Sequence, residues 1–503
     1  MNYQCTRNSA EQVSAAQAIA QGISGDGGLF VPETLPQYSL ADLEAMKDCA
    51  YAQRAERILG GFLTDFTAEE IRACVEKAYG GGKFSGGHPA PLAELAEGDA
   101  SVHLLELWHG PTCAFKDMAL QILPHLLTKS LRKINSDKTA VILVATSGDT
   151  GKAALEGFRD VEGAKIMVFY PQNGVSAMQK LQMTTQEGEN VAVCAIEGNF
   201  DDAQTGVKRI FTDPAMKEKL AENGMMFSSA NSINWGRLLP QIVYYFSAYC
   251  DLMARGRVKA GQSVNVAVPT GNFGNILAAY YAKKMGLPVH KLICASNANN
   301  VLTEFLRTGV YDRNRRFFTT ISPSMDILVS SNLERLLYDL TGRDSGRVAA
   351  WMRQLAETGR YEVGPDVLSK LREIFYAGFC DDQQTSEAIH GVYHKFHYVC
   401  DTHTGVAVQV YRQYLAETQD HNTPTVIVST ANPYKFATSV LLAIDHEKAC
   451  GDDLENVRTL EALTGAPVPA PIAALAGKPV RFTQCCRPDG MGGMVLGRLG
   501  VAE

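Results

Sequence analysis

Residues 264–275 read Val264-Asn265-Val266-Ala267-Val268-Pro269-Thr270-Gly271-Asn272-Phe273-Gly274-Asn275. A short β-branched apolar run that ends in a glycine turn and opens a helix near Ile276 is the pattern of a buried parallel strand handing over to a helix. Turns built on Gly271 and Gly274 can aim several backbone N–H groups at one point, and the helix start adds positive potential there. That cup suits a phosphate without any arginine, through charge-assisted hydrogen bonds. The spacing is Gly-x-x-Gly, which is not the dinucleotide fingerprint. An ordinary tight strand-to-helix turn reads the same way.

Runs of the same kind recur on both sides, at 102–107, 139–146, 164–170, 191–197, 291–295 and 425–430. Between them lie stretches of helical periodicity. After Asp117, for example, Ala119, Ile122, Leu123, Leu126 and Leu127 share one face, with Pro124 expected to kink or interrupt the helix. The alternation implies an α/β protein with mostly parallel sheets. The first ~95 residues read instead as a helical unit, bounded by the glycine-dense stretch 80–87, where a helix cannot continue cheaply. Residues 333–400 read as a helical insertion with no clear strand. Residues 446–503 read as a tail, irregular and rich in proline and glycine after about 465.

Two further segments carry chemistry. His109-Gly110-Pro111-Thr112-Cys113-Ala114-Phe115-Lys116-Asp117 lies between a strand and a helix, where ligands bind in open α/β sheets. A lysine behind a Gly-Pro turn, flanked by alanine and phenylalanine, is partly desolvated, which favours the free amine and suits a Schiff base to an aldehyde cofactor. A surface lysine that starts a helix and pairs with Asp117 fits the same residues. Thr146-Ser147-Gly148-Asp149-Thr150-Gly151-Lys152 is not a nucleotide P-loop, because glycine is missing at Thr146 and a hydroxyl at Ala153. Its hydroxyls and amides suit a carboxylate, and Asp149 could reach a phenolic group.

The segments HGPT-A-FKD, SGDTG, PTGNFGN and the strand-end Ser429-Thr430-Ala431 together resemble the threonine synthase family. DGGLFVP (26–32), EGNFDDAQ (197–204), NSINWGR (231–237), SSNLERLLY (330–338) and DTHTG (401–405) extend the resemblance, in order, over roughly residues 3–445. The resemblance is to the longer, yeast-like and enterobacterial-like branch of that family, which belongs to the tryptophan-synthase-β group of fold type II pyridoxal-phosphate enzymes. It implies two open, mostly parallel-sheet domains with an N-terminal helical unit (1–95), a catalytic core (96–445) carrying the insertion, and a C-terminal tail (446–503).

The resemblance also implies pyridoxal 5'-phosphate held on Lys116 as an internal aldimine. Gly271, Asn272, Phe273, Gly274 and Asn275 would hold the cofactor phosphate, Thr430 would face the pyridine nitrogen, and Asp149 would lie by the 3'-hydroxyl. Thr146, Ser147, Gly148, Thr150 and Gly151 would bind the amino-acid end of O-phospho-L-homoserine. Lys180, Arg237 and Arg335 are the candidates for the substrate phosphate. Cys113, Asn432-Pro433-Tyr434 and Asn199 depart from the family's usual residues beside the site. A dehydratase or phospho-amino-acid lyase of the same fold is the neighbouring activity, and a non-catalytic relative would be expected to have lost the lysine or the loop.

Composition sets outer bounds. The 503 residues exceed what one hydrophobic core holds together. Forty-seven basic against 54 acidic residues give a formal charge of -7 with no basic block, which argues against nucleic acid or an anionic membrane as partner. The 12 cysteines are scattered without zinc-ligand spacing, so reduced thiols and no metal site are expected. No apolar run reaches the length of a membrane span, and the start carries no targeting pattern, so a cytoplasmic protein is expected. Monomer and homodimer both remain open.

Overall fold

The computed structural model describes residues 1–95, 102–146, 148–172 and 175–502. Near the N-terminus, β1 (Tyr3–Cys5), β2 (Gln12–Val13) and β3 (Phe30–Pro32) form a small antiparallel sheet in the order β2-β1-β3. The helices Ala15–Gln21, Leu40–Met46, Tyr51–Phe62 and Ala68–Tyr79 complete this unit. Three of them begin with Ser14, Ser39 or Thr67 in a capping box, which satisfies backbone donors that the first turn leaves open. The unit is therefore helical as expected, with a short sheet in addition.

The rest of the chain builds two larger sheets. Its strands are β4 (Leu92–Glu94), β5 (Val102–Glu106), β6 (Thr139–Ala145), β7 (Ala164–Pro171), β8 (Val191–Ile196), β9 (Met225–Ser228), β10 (Val264–Pro269), β11 (Val289–Ser296), β12 (Val310–Asp312), β13 (Arg360–Glu362), β14 (Phe375–Phe379), β15 (Thr425–Ser429) and β16 (Cys485–Cys486). One sheet runs β14-β11-β10-β15-β5-β4, parallel except for the edge strand β4. The other runs β16-β8-β7-β6-β9 and is parallel throughout. Every residue of β8 and β10 is buried, because helices cover both faces of such sheets.

All seven runs read from the sequence as strands are strands. Pro124 does interrupt its helix: Asp117–Leu120 ends, and Leu123–Lys133 begins with the proline in its first turn, where a missing N–H costs nothing. The insertion 333–400 is not purely helical, since β13 and β14 lie within it and β14 extends the larger sheet. The tail is not irregular either. It contains the helices Asp453–Thr464 and Met491–Leu499, and β16 adds a parallel strand to the edge of β8.

The helix Trp235–Ala254 is buried along nearly its whole circumference, as its apolar composition requires. Trp235 at its start packs against Tyr3, Phe62 and Tyr281, which fastens the N-terminal unit to the core. The helix Asp149–Phe158 comes closer still to its neighbour. A Cβ added at Gly157 would lie 1.9 Å from the carbonyl oxygen of Leu120, so only glycine lets that helix rest on the backbone turn that follows Lys116. Gly157→Ala is expected to destabilise the chain by about 1–3 kcal/mol, the usual cost of overpacking. Urea unfolding measures this, and an unchanged midpoint would mean that the two segments can part without cost.

Candidate active site

The carboxyl ends of β10, β15 and β5 lie side by side, and each opens into a segment that carries chemistry. In parallel sheets this edge is where ligands bind. Backbone hydrogen bonds lace the segments together. Phe115 N–H donates to the Thr430 carbonyl at 2.8 Å, Asn432 N–H donates to the Cys113 carbonyl at 3.0 Å, and Ala114 bridges to Ala431.

Lys116 is buried, with 8% of its surface exposed. Asp117 does not pair with it: the Thr112 N–H and hydroxyl both donate to the Asp117 carboxylate, at 2.8 and 2.7 Å. Burial pushes the Asp117 carboxyl up to about 6. The Lys116 ammonium faces Asp149 Oδ2 at 3.6 Å and donates to Ser324 Oγ at 3.3 Å. Burial lowers the lysine to about 8; Asp149 opposes that shift, and Arg237 and Lys435 add to it. A substantial fraction is thus free amine just above neutral pH, which is what a nucleophile or base requires.

Asp149 opens its helix from the end of β6 and has several partners. Its Oδ1 meets Lys435 Nζ at 3.1 Å and accepts from Gln179 Nε2 at 3.1 Å. Burial alone would raise this carboxyl, but Lys435, Lys116, His403 and the Gln179 hydrogen bond together hold it well below its usual range. It is a fixed anion. The Thr146 hydroxyl accepts the N–H groups of Gly148 and Gly151 at 3.0 Å each and so caps its own turn. Thr150 is half-buried, with its hydroxyl unbonded among the described residues, and Ser147 lies outside the described residues.

In the loop after β10, Phe273 holds a left-handed conformation (φ 64°), uncommon for an aromatic residue. The loop's carbonyls turn outward: Ser330 Oγ donates to the Gly271 carbonyl at 2.8 Å, and the Asn332 N–H and Nδ2 donate to that of Asn272 at 3.1 Å. The N–H groups of Gly271 through Asn275 have no acceptor among the described residues. The Asn275 amide is anchored by Tyr244 and Tyr245 through its oxygen, which leaves its buried Nδ2 without a partner. A run of free backbone donors at a helix start is an anion site. Ser324 ties this cup to the lysine, because its carbonyl would lie 2.9 Å from a Cβ at Gly271 while its hydroxyl touches Lys116.

The remaining candidates separate. Arg237 is buried, spends one nitrogen on the Ala230 carbonyl at 2.9 Å and has no carboxylate partner among the described residues; burial lowers it to about 10. Its charge reaches Lys116. Arg335 is not brought to the site. Its guanidinium donates to the Phe30 carbonyl, Asn332 Oδ1 and the Ile233 carbonyl, and serves as a structural clamp over Trp235. Lys180 is exposed on the helix Ala177–Thr184, whose buried face carries Gln179 and Gln182. Sequence reasoning missed Lys435, Ser324 and the Asp401–His403 pair. His403 Nδ1 lies 2.8 Å from Asp401, and its Nε2 accepts the Ser324 N–H at 3.1 Å.

This donor set fits an aldehyde cofactor with an anionic tail. It offers a desolvated amine, a cup of free amides, an ionised carboxylate and, at the end of β15, a Thr430 hydroxyl that makes no hydrogen bond among the described residues. The chain's similarities point the same way. Residues 2–79 match the family profile "Threonine synthase N terminus", residues 84–369 "Pyridoxal-phosphate dependent enzyme" and residues 404–490 "Threonine synthase, C-terminal".

The chain is 40% identical to threonine synthase of Pseudomonas aeruginosa over 441 residues, 88% of this chain and 90% of that one. It is 41% identical to human threonine synthase-like 1 over 447 residues, 86% of this chain but 59% of the relative. The chain thus spans about three fifths of the length of the threonine synthase-like 1 proteins it matches. Among solved structures, PLP-bound threonine synthase from Brucella melitensis superposes with a TM-score of 0.86 at 35% identity, and the yeast threonine synthase with 0.88 at 32%; each pairing covers 99% of both chains.

Two outcomes follow for the cofactor, pyridoxal phosphate. Its attachment to the apo chain, followed by visible absorbance, is expected to speed up about ten-fold per pH unit below about 8 and to level off above, and to vanish in Lys116→Ala. Gly271→Val, which would press on the Ser324 carbonyl, is expected to weaken cofactor binding at least roughly ten-fold, the worth of one charged hydrogen bond. A fluorescence titration measures the second.

Proposed function

Because this chain belongs to the threonine synthase family of pyridoxal-phosphate-dependent enzymes, we propose that it converts O-phospho-L-homoserine and water into L-threonine and phosphate. The observation that carries this reading is the presence together of a buried lysine lowered to about 8 and two separate anion receptors, the 271–275 amides and Arg237, which has no carboxylate partner among the described residues. One receptor serves the cofactor phosphate. The other is left for a phosphorylated substrate, which a simple dehydratase would not need.

When bound, the cofactor supplies the electron sink that makes the substrate's α- and β-protons removable. The protein's part is proton handling and orientation. Lys116 Nζ would hold the cofactor through its aldehyde and, as a free amine, would be placed to take the α-proton, shuttle the β-proton and return one to the γ-carbon. Asp149, a permanent anion, would stand by the cofactor's 3'-hydroxyl, and the Thr430 hydroxyl would be available to its ring nitrogen. The Thr150 hydroxyl at the start of the Asp149 helix is left to receive the substrate carboxylate, since Thr146 holds the N–H groups of Gly148 and Gly151. Arg237 holds the γ-phosphate and stabilises it as it leaves. The walls around Lys116 keep water out until it adds at the β-carbon.

We further propose a cytoplasmic enzyme, monomeric or homodimeric, acting on a small molecule without nucleic acid or membrane. The acidic balance supports this, and no helix of the described residues is long and apolar enough to cross a membrane.

Incubation with O-phospho-L-homoserine is expected to release threonine and phosphate in equal amounts; 2-oxobutanoate as the main product would overturn the reading in favour of a lyase. Arg237→Met is expected to lower kcat/KM by roughly 30-fold or more, since truncating one member of a buried charge pair costs about 2–5 kcal/mol. Most of that loss should appear in KM for the phosphorylated substrate, while cofactor binding stays intact.

A further inference from the structure

Lys435 is the one charged side chain of the 430–436 segment, and it is fully buried. It follows β15 in the larger sheet, yet its contacts cross to the smaller one. Its Nζ meets Asp149 Oδ1 at 3.1 Å, donates to Gln182 Oε1 at 3.0 Å, and donates to the Thr112 carbonyl at 2.8 Å, four residues before Lys116. An ammonium has three N–H bonds, and all three are used. The result is a buried row in which the two oxygens of Asp149 are divided: Oδ1 goes to Lys435 and Gln179, and Oδ2 to Lys116 and Ser324.

We propose that Lys435 is a positioning residue for the reaction: by engaging one oxygen of Asp149 it stops that carboxylate from claiming Lys116 outright, and so keeps Lys116 available as free amine. Two effects act in the same direction. Asp149 shared between two cations stabilises each less than it would stabilise one alone, and the Lys435 charge itself disfavours a second charge nearby. The other groups that face the row are Arg237 from the helix Trp235–Ala254, His403 with Asp401 from the helix Thr402–Thr418 and its cap, Asp117 and Cys113 from the lysine segment, and Lys152 and Glu156 from the Asp149 helix. None of these touches Asp149 Oδ1, which Lys435 and Gln179 occupy.

The test is competitive acetylation of the full-length, cofactor-stripped chain between about pH 6 and about pH 10, with Lys116 modification read by mass spectrometry. The unmodified chain is expected to titrate near 8. In Lys435→Met and in Lys435→Gln the midpoint should rise by about one unit or more, a roughly ten-fold slower acetylation at neutral pH, whereas Lys435→Arg should restore the original profile. An unchanged or lowered midpoint in either folded neutral variant would overturn the proposal. Failure of both to fold would also overturn it, since Lys435 would then be a structural cross-link alone. The proposal rests on Lys116 being the reactive amine of the site. Acetylation reads that amine without turnover, so a chain that made no threonine would still give a decisive result.

Discussion

Keeping a substantial fraction of an amine neutral just above neutral pH while a carboxylate 3.6 Å away stays ionised is a demanding requirement, and much of this molecule serves it. Removing a lysine from water favours the free amine, but the same removal would protonate a lone carboxylate. Asp149 escapes because a second ammonium, an amide and a histidine share the burden of its charge. Lys435 flanks one oxygen of Asp149 and Lys116 the other, and the charge of Arg237 also reaches Lys116.

The scaffold delivers this arrangement through strand ends. Three neighbouring parallel strands release their chains at one edge, and the hydrogen bonds from Phe115 to Thr430 and from Asn432 to Cys113 fix how the lysine segment lies against the segment after β15. Ser324 does the same on the other side, held by His403 through its N–H while its hydroxyl touches Lys116. Gly157 sets the distance between the Asp149 helix and the backbone after Lys116 from below. Few of these groups touch a reacting atom, yet each decides where one will be.

Much of this was legible from the residues. Runs such as TAVILVAT and VNVAVP are buried on both faces, so their β-branched continuity gave the parallel sheets away. The strands that escaped notice lack that mark. Met225–Ser228 is led by methionines, Phe375–Phe379 follows directly on a helix and contains a glycine, and Cys485–Cys486 is two residues long, ordered only by pairing with β8. At the site, Lys116, Asp149 and the glycine loop lie in distinctive turns. Arg335 was misleading, because a guanidinium among hydrophobic residues suits a structural clamp as well as an anion receptor, and only its partners tell the two apart. Lys435 left one signal, a lone cation between Tyr434 and Phe436 just past a strand end, where a solvated lysine would have polar company.

The position of Lys435 also couples chemistry to architecture. Asp149 and Gln182 belong to the smaller sheet's side, and Lys435 and Thr112 to the larger sheet's. Any motion that drew the two sheets apart would lengthen the Asp149–Lys435 contact and leave both groups buried and poorly paired, a state the low-dielectric interior penalises heavily. The same motion would change what Asp149 offers to Lys116. The spacing of the two sheets and the readiness of the amine are therefore linked through Asp149. One carboxylate takes part in both, because one of its oxygens faces Lys116 and the other Lys435.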